Sequence, residues 1–175
     1  MSVIEHYPNS VAALSLAGKR RRRSPRSPQT RKGADIAKRD AIFPADRHAL
    51  YDLHQYSAAI RSGDLLFISG QVGSREDGSP EPVFEDQVRR AFANLRAVLA
   101  AAGASFDDVI DVISFHTDPQ TQFDTVMAIR AEEIGDPPYP TWTAVGVTWL
   151  AGFDFELKAV ARIPTAAGSV AGSQG

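Results

Sequence analysis

Residues 42–164 predict a single α+β domain of element order ββαβαββ, with two helices packed on one face of a mixed sheet. Three observations carry that prediction. The turn sequence Ser62-Gly63-Asp64 separates two strand-like runs. Segment 84–102 repeats apolar residues at helical spacing, and segment 155–162 alternates with period two. Two helices cover only one side of such a sheet, so its second face is expected to be buried by self-association.

Tyr56–Arg61 and Leu65–Ser69 read as a hairpin across that turn. Leu65-Leu66-Phe67-Ile68 is continuously apolar, as in a strand covered on both faces. In Gly70-Gln71-Val72-Gly73, which follows, glycine allows the backbone to approach another group closely. Arg75–Pro82 reads as a polar loop. Over Phe84–Ala102, the residues Phe84, Val88, Phe92, Leu95 and Leu99 stand at spacings of four, four, three and four, one apolar stripe of a helix. Gly103 stops that helix, and Ser105 with Asp108 forms a capping-box pair opening one short turn. Val109–Thr117 is the third strand. A second helix is expected over roughly 121–134, with Phe123, Val126, Met127 and Ile134 inward, ended by Pro137-Pro138-Tyr139-Pro140. Trp142–Val147 and Phe155–Arg162 complete the sheet. In the last strand Phe155, Leu157, Ala159 and Ala161 share one face, and Glu156, Lys158, Val160 and Arg162 the other.

The flanks have a different character. Residues 1–41 are expected to be a disordered basic tail and 165–175 a flexible end rich in Gly, Ala and Ser. Residues 1–40 hold ten Lys/Arg against three Asp/Glu, a net of +7, and the remainder nine against eighteen, a net of −9. An acidic domain does not neutralise phosphates, so nucleic acid is expected to bind weakly, through the tail, if at all. No run approaches the roughly 18 apolar residues of a membrane span, and no membrane partner is expected. The absence of Cys excludes disulfides, thiol nucleophiles and Cys-ligated zinc and fits a cytoplasmic location. His48 and His54, six apart, lack the spacing of a helical metal pair, so no metal site is assigned. A lone His116 in the third strand reads as a core or surface residue. There is no Gly-rich phosphate loop and no G-x-S-x-G elbow.

Several blocks in order resemble the RidA (YjgF) family. They are Tyr56-Ser57-Ala58-Ala59-Ile60-Arg61-Ser62-Gly63-Asp64-Leu65-Leu66-Phe67-Ile68-Ser69-Gly70-Gln71-Val72, then Gln87, Asn94-Leu95, Leu99–Ser105 and Asp107-Asp108-Val109, then Phe115 through Asp118 to Glu156 and Ala159-Val160-Ala161. The resemblance spans residues 42–164. It implies a chorismate-mutase-like fold and a barrel-forming homotrimer with small-molecule clefts between subunits. It also implies cofactor-free hydrolysis of 2-imino or 2-enamino acids to 2-oxo acids and ammonia. In that family a Tyr lines the cleft, a Glu on the last strand orients water and an Arg clamps the substrate carboxylate. Tyr56 and Glu156 match the first two. The Arg position, in Pro140-Thr141-Trp142-Thr143, holds Trp142.

An arginine grips a carboxylate bidentately, whereas an indole offers one neutral N–H donor. Losing the clamp removes charge-assisted hydrogen bonds worth roughly 1.5–3 kcal/mol each. The expected binding set is Tyr56, Gly70, Trp142 and Trp149, with Glu156 catalytic. A carboxylate among aromatic rings suits a neutral or cationic nitrogen compound. Two functions stay open: a hydrolytic deaminase with a non-standard substrate, or a non-catalytic sensor or interaction protein using the same cleft.

Overall fold

The structure is a computed structural model that describes residues 39–45 and 49–164. The expected disorder of the basic tail and of the C-terminal end falls on residues outside these, apart from the last few of the tail. The order is β1 (Asp40–Ile42), α1 (Leu50–Leu53), β2 (Ala59–Ser62), β3 (Leu65–Val72), α2 (Phe84–Ala101), a 3-10 turn (Phe106–Asp108), β4 (Val109–His116), α3 (Pro119–Glu133), β5 (Thr141–Gly146) and β6 (Phe155–Arg162). Strand β1 begins inside the stretch read as tail. It pairs Asp40 with Arg61 and Ala41 with Ile60, so the sheet starts two residues before the expected boundary.

The six strands form one mixed sheet in the order β1-β2-β3-β6-β4-β5. Only β4 and β5 run parallel, because α3 carries the chain across between them; the other neighbours are antiparallel. Leu66, Ile68, Val112, Leu157, Ala159 and Ala161 face the helices. They form one core with Val88, Phe92, Leu95 and Leu99 of α2 and Val126 and Ile129 of α3. Helix α2 ends in a Schellman motif: Gly103 (φ +72°) donates to Ala100 O at 3.0 Å, and Ala104 to Leu99 O at 2.9 Å. The Ser105–Asp108 capping box forms as expected.

Helix α3 departs from its expected inward set. Val126 is buried, but the inward face is completed by Gln122 and Ile129, whereas Phe123 and Met127 are 45% and 37% exposed and Ile134 lies past the helix end. The reason is the start: Pro119 opens the helix two residues early, and buried Gln122 turns inward to bond Asp118 N and Thr117 Oγ1. Exposed ion pairs Arg89–Glu132 and Arg96–Glu133 link α2 to α3.

Among the described residues no helix covers the second sheet face. Ile60, Val160, Ile113, Phe115 and Val145 are half-buried there, and Phe67 is 47% exposed.

Candidate functional site

Strand β3 carries a β-bulge. Ile68 pairs with Ala159 and Gln71 with Leu157, so two residues of β3, Ser69 and Gly70, stand opposite the single Lys158 of β6. Buried Gln71 holds the bulge: its amide donates to Ser69 O at 2.9 Å, and its carbonyl oxygen accepts from the buried Tyr51 hydroxyl at 2.9 Å. Ser69 Oγ donates to Ser57 O at 2.7 Å.

Glu156 lies against this bulge. A Cβ added at Gly70 would stand 2.1 Å from Glu156 Oε1, so only glycine leaves room for the carboxylate. The pair opens into a cavity of about 430 Å³ lined also by Leu50, His54, Tyr56, Pro80, Trp149 and Phe153. His54 and Tyr56 flank Gln55, which adopts a left-handed conformation at φ +55°, a conformation that non-glycine residues seldom take. The opposite wall is the loop carrying Trp149, turned by Ala151 (φ +54°) and Gly152 (φ +94°). Trp149 is 75% exposed.

Burial raises the Glu156 carboxyl above its ordinary value, against a smaller opposing pull from Lys158. Burial also raises the Tyr56 phenol, helped by the negative charge of Glu156, and the Tyr51 phenol is pushed up to about 12. The protonated form of Glu156 is thus favoured by folding. Its contribution to stability is full below the ordinary carboxyl value and is lost as pH rises through the raised one. Glu156→Gln is therefore expected to raise the melting temperature at pH 7, with the gain vanishing at pH 4; thermal unfolding at the two pH values checks this.

The structure brings Tyr56, Gly70, Trp149 and Glu156 together. It does not bring Trp142 to them. Trp142 pairs with Val112 across β4–β5 and so points to the helix side of the sheet, whereas Glu156 pairs with Phe115 on the other side. There its indole N–H donates to Ser114 Oγ at 2.9 Å, and its ring lies 6.4 Å from Phe92 and 4.3 Å beneath the Arg130 guanidinium. Ser114 Oγ is in turn 2.9 Å from His116 Nε2. Burial lowers the imidazole's proton affinity and so favours its neutral form. The expectation that Trp142 lines the Glu156 cavity is corrected by strand parity. Sequence reasoning passed over His54 and Phe153 as lining residues, since loop conformation brings them to the cavity. The only local signal was the alternation of His54 and Tyr56 around Gln55.

Comparison with known proteins bears on this geometry. The family model for "Endoribonuclease L-PSP" matches residues 46–163. RutC family protein YjgH of Escherichia coli K12 is 69% identical over 129 residues, covering 74% of this chain and 98% of YjgH. A solved structure of protein YjgH superposes with a TM-score of 0.71 at 70% identity, covering 73% of this chain and 98% of that one. A 2-iminobutanoate/2-iminopropanoate deaminase of Dermatophagoides farinae is 32% identical over 99 residues, 54% of this chain and 74% of that protein. With the family model spanning nearly all of the described domain, and the sheet order and the Glu156 bulge on the same stretch, the chain belongs to the RidA/YjgF (L-PSP) family.

Proposed function

We propose that the Glu156 cavity binds a small neutral or cationic nitrogen compound, such as an imine or enamine without a carboxylate, and hydrolyses its C–N bond. The observation that carries this reading is a raised, half-buried carboxyl in an aromatic-walled cavity whose lining, among the described residues, holds no Lys or Arg. A carboxyl raised toward working pH is suited to accept a proton from water as it attacks the C=N carbon and to pass that proton to the departing amine. The rings of Tyr56 and Trp149 suit an iminium cation. The similarity to the Dermatophagoides farinae protein named as a 2-iminobutanoate/2-iminopropanoate deaminase supports hydrolysis as the reaction class. The same chemistry needs no cofactor.

A trimer is part of this reading. Half-exposed Phe67 and its apolar neighbours on the uncovered sheet face supply the surface, and a neighbouring subunit would wall the open side of the cavity.

Ammonia release is the test. Wild type should turn over a carboxylate-free imine, and Glu156→Ala should lose about 10²–10⁴-fold, the usual contribution of a positioned general base. Saturable binding of such a compound without turnover of any imine would instead favour the non-catalytic sensor.

A further inference from the structure

A second cavity, of about 600 Å³, opens at the C-terminal end of α3, on the helix side of the sheet and away from Glu156. Its distinguishing feature is Arg130. The guanidinium lies 4.3 Å from the centre of the Trp142 ring, and that ring is itself fixed by the hydrogen bond to buried Ser114. Arginine ordinarily loses side-chain freedom when it is held by a ligand; here the contact with the indole already holds it. Yet among the described residues this ordered cation has no carboxylate partner, only the Met127 sulfur at 3.8 Å. Five N–H donors fixed in a plane beside an open cavity make a receptor for a carboxylate.

The rest of the lining narrows the ligand. Glu132 is committed to Arg89 at 2.7 Å. Asp136 lines the cavity, and its carboxylate makes no hydrogen bond or ion pair among the described residues. A simple anion would meet Asp136 unfavourably, and a simple amine would meet Arg130 unfavourably. A zwitterion satisfies both. Met127, Ile134 and the 61%-exposed Tyr139 supply apolar wall. We propose that this cavity binds a small zwitterion of the α-amino-acid class, its carboxylate on Arg130, its ammonium on Asp136 and its apolar side chain against Met127, Ile134 and Tyr139.

The chain has two tryptophans, so Trp149→Phe leaves Trp142 as the only indole, directly under the proposed carboxylate site. Leucine added to that variant should change its emission saturably, and calorimetry on the unsubstituted chain should give the same midpoint. N-acetyl-leucine and leucine amide, each lacking one pole, should bind at least about tenfold more weakly, as should leucine to Arg130→Gln or Asp136→Asn, since a charged hydrogen bond is worth roughly 1.5–3 kcal/mol. Circular dichroism checks that both variants remain folded, and Arg130→Lys should fall between wild type and Arg130→Gln. Glu156→Gln, on the other sheet face, should leave the leucine isotherm in place. The proposal is overturned if leucine gives no saturable signal by either method, or if the three ligands bind alike. It also falls if Glu156→Gln abolishes leucine binding, which would place the ligand in the other cavity.

Discussion

Gly70→Ala is expected to remove activity as completely as loss of the Glu156 carboxylate, about 10²–10⁴-fold, while the protein stays folded. The added methyl carbon would stand 2.1 Å from Glu156 Oε1 and 2.9 Å from its Cγ, well inside van der Waals contact. The side chain on β6 is the flexible partner, so it swings away and the backbone is spared. Function is lost because the carboxylate leaves the bulge and no longer faces the compound between Tyr56 and Trp149. Two measurements check this. Ammonia release should fall as far in Gly70→Ala as in Glu156→Ala, and the double variant should be no worse than either single one, the non-additivity expected of two changes with one target. A Gly70→Ala protein with wild-type turnover would show that the close approach has no catalytic consequence.

The largest expected loss of stability is at Phe92. Phe92→Ala should cost about 3–5 kcal/mol in denaturant unfolding. Phe92 is fully buried, and its ring packs 6.1 Å from Phe106 and 6.4 Å from both Trp142 and Phe155. It thus joins α2 to the 3-10 turn, to β5 and to β6 at once, and no one neighbour can collapse into the space it leaves. Phe92→Leu, which keeps most of the volume, should fall well short of that loss. Equal losses for the two would mean that ring geometry, not filled volume, sets the cost.

Those residues also show how much was legible in the sequence. The stripe from Phe84 to Leu99 is a local periodicity, so α2 and its buried face were readable, as was the alternation that separates Leu157 from Glu156. Gly70 was readable as a close approach because glycine in a strand has few other uses. What it approaches was not, since the bulge depends on pairing with β6, nearly ninety residues on. Trp142 misled for a related reason. Its position in the family pattern is local, but the direction of its side chain follows from parallel pairing with β4, a contact set by the tertiary fold. The inward face of α3 was misjudged through Pro119 and Gln122, where a polar side chain took a buried place that Phe123 was expected to fill. The cavity walls at His54 and Trp149 rest on left-handed Gln55 and Ala151, which no periodicity announces.

The reading of the Glu156 cavity as a site for carboxylate-free nitrogen compounds is tested most directly by one comparison: the kcat/KM of ammonia release from 2-iminopropanoate against that from an imine of similar size lacking the carboxylate. With no Lys or Arg in the cavity lining among the described residues, the carboxylate-free imine should be preferred, and Glu156→Ala should abolish the difference. Faster turnover of 2-iminopropanoate, dependent on Glu156, would contradict the account, because it would require a carboxylate partner within the cavity.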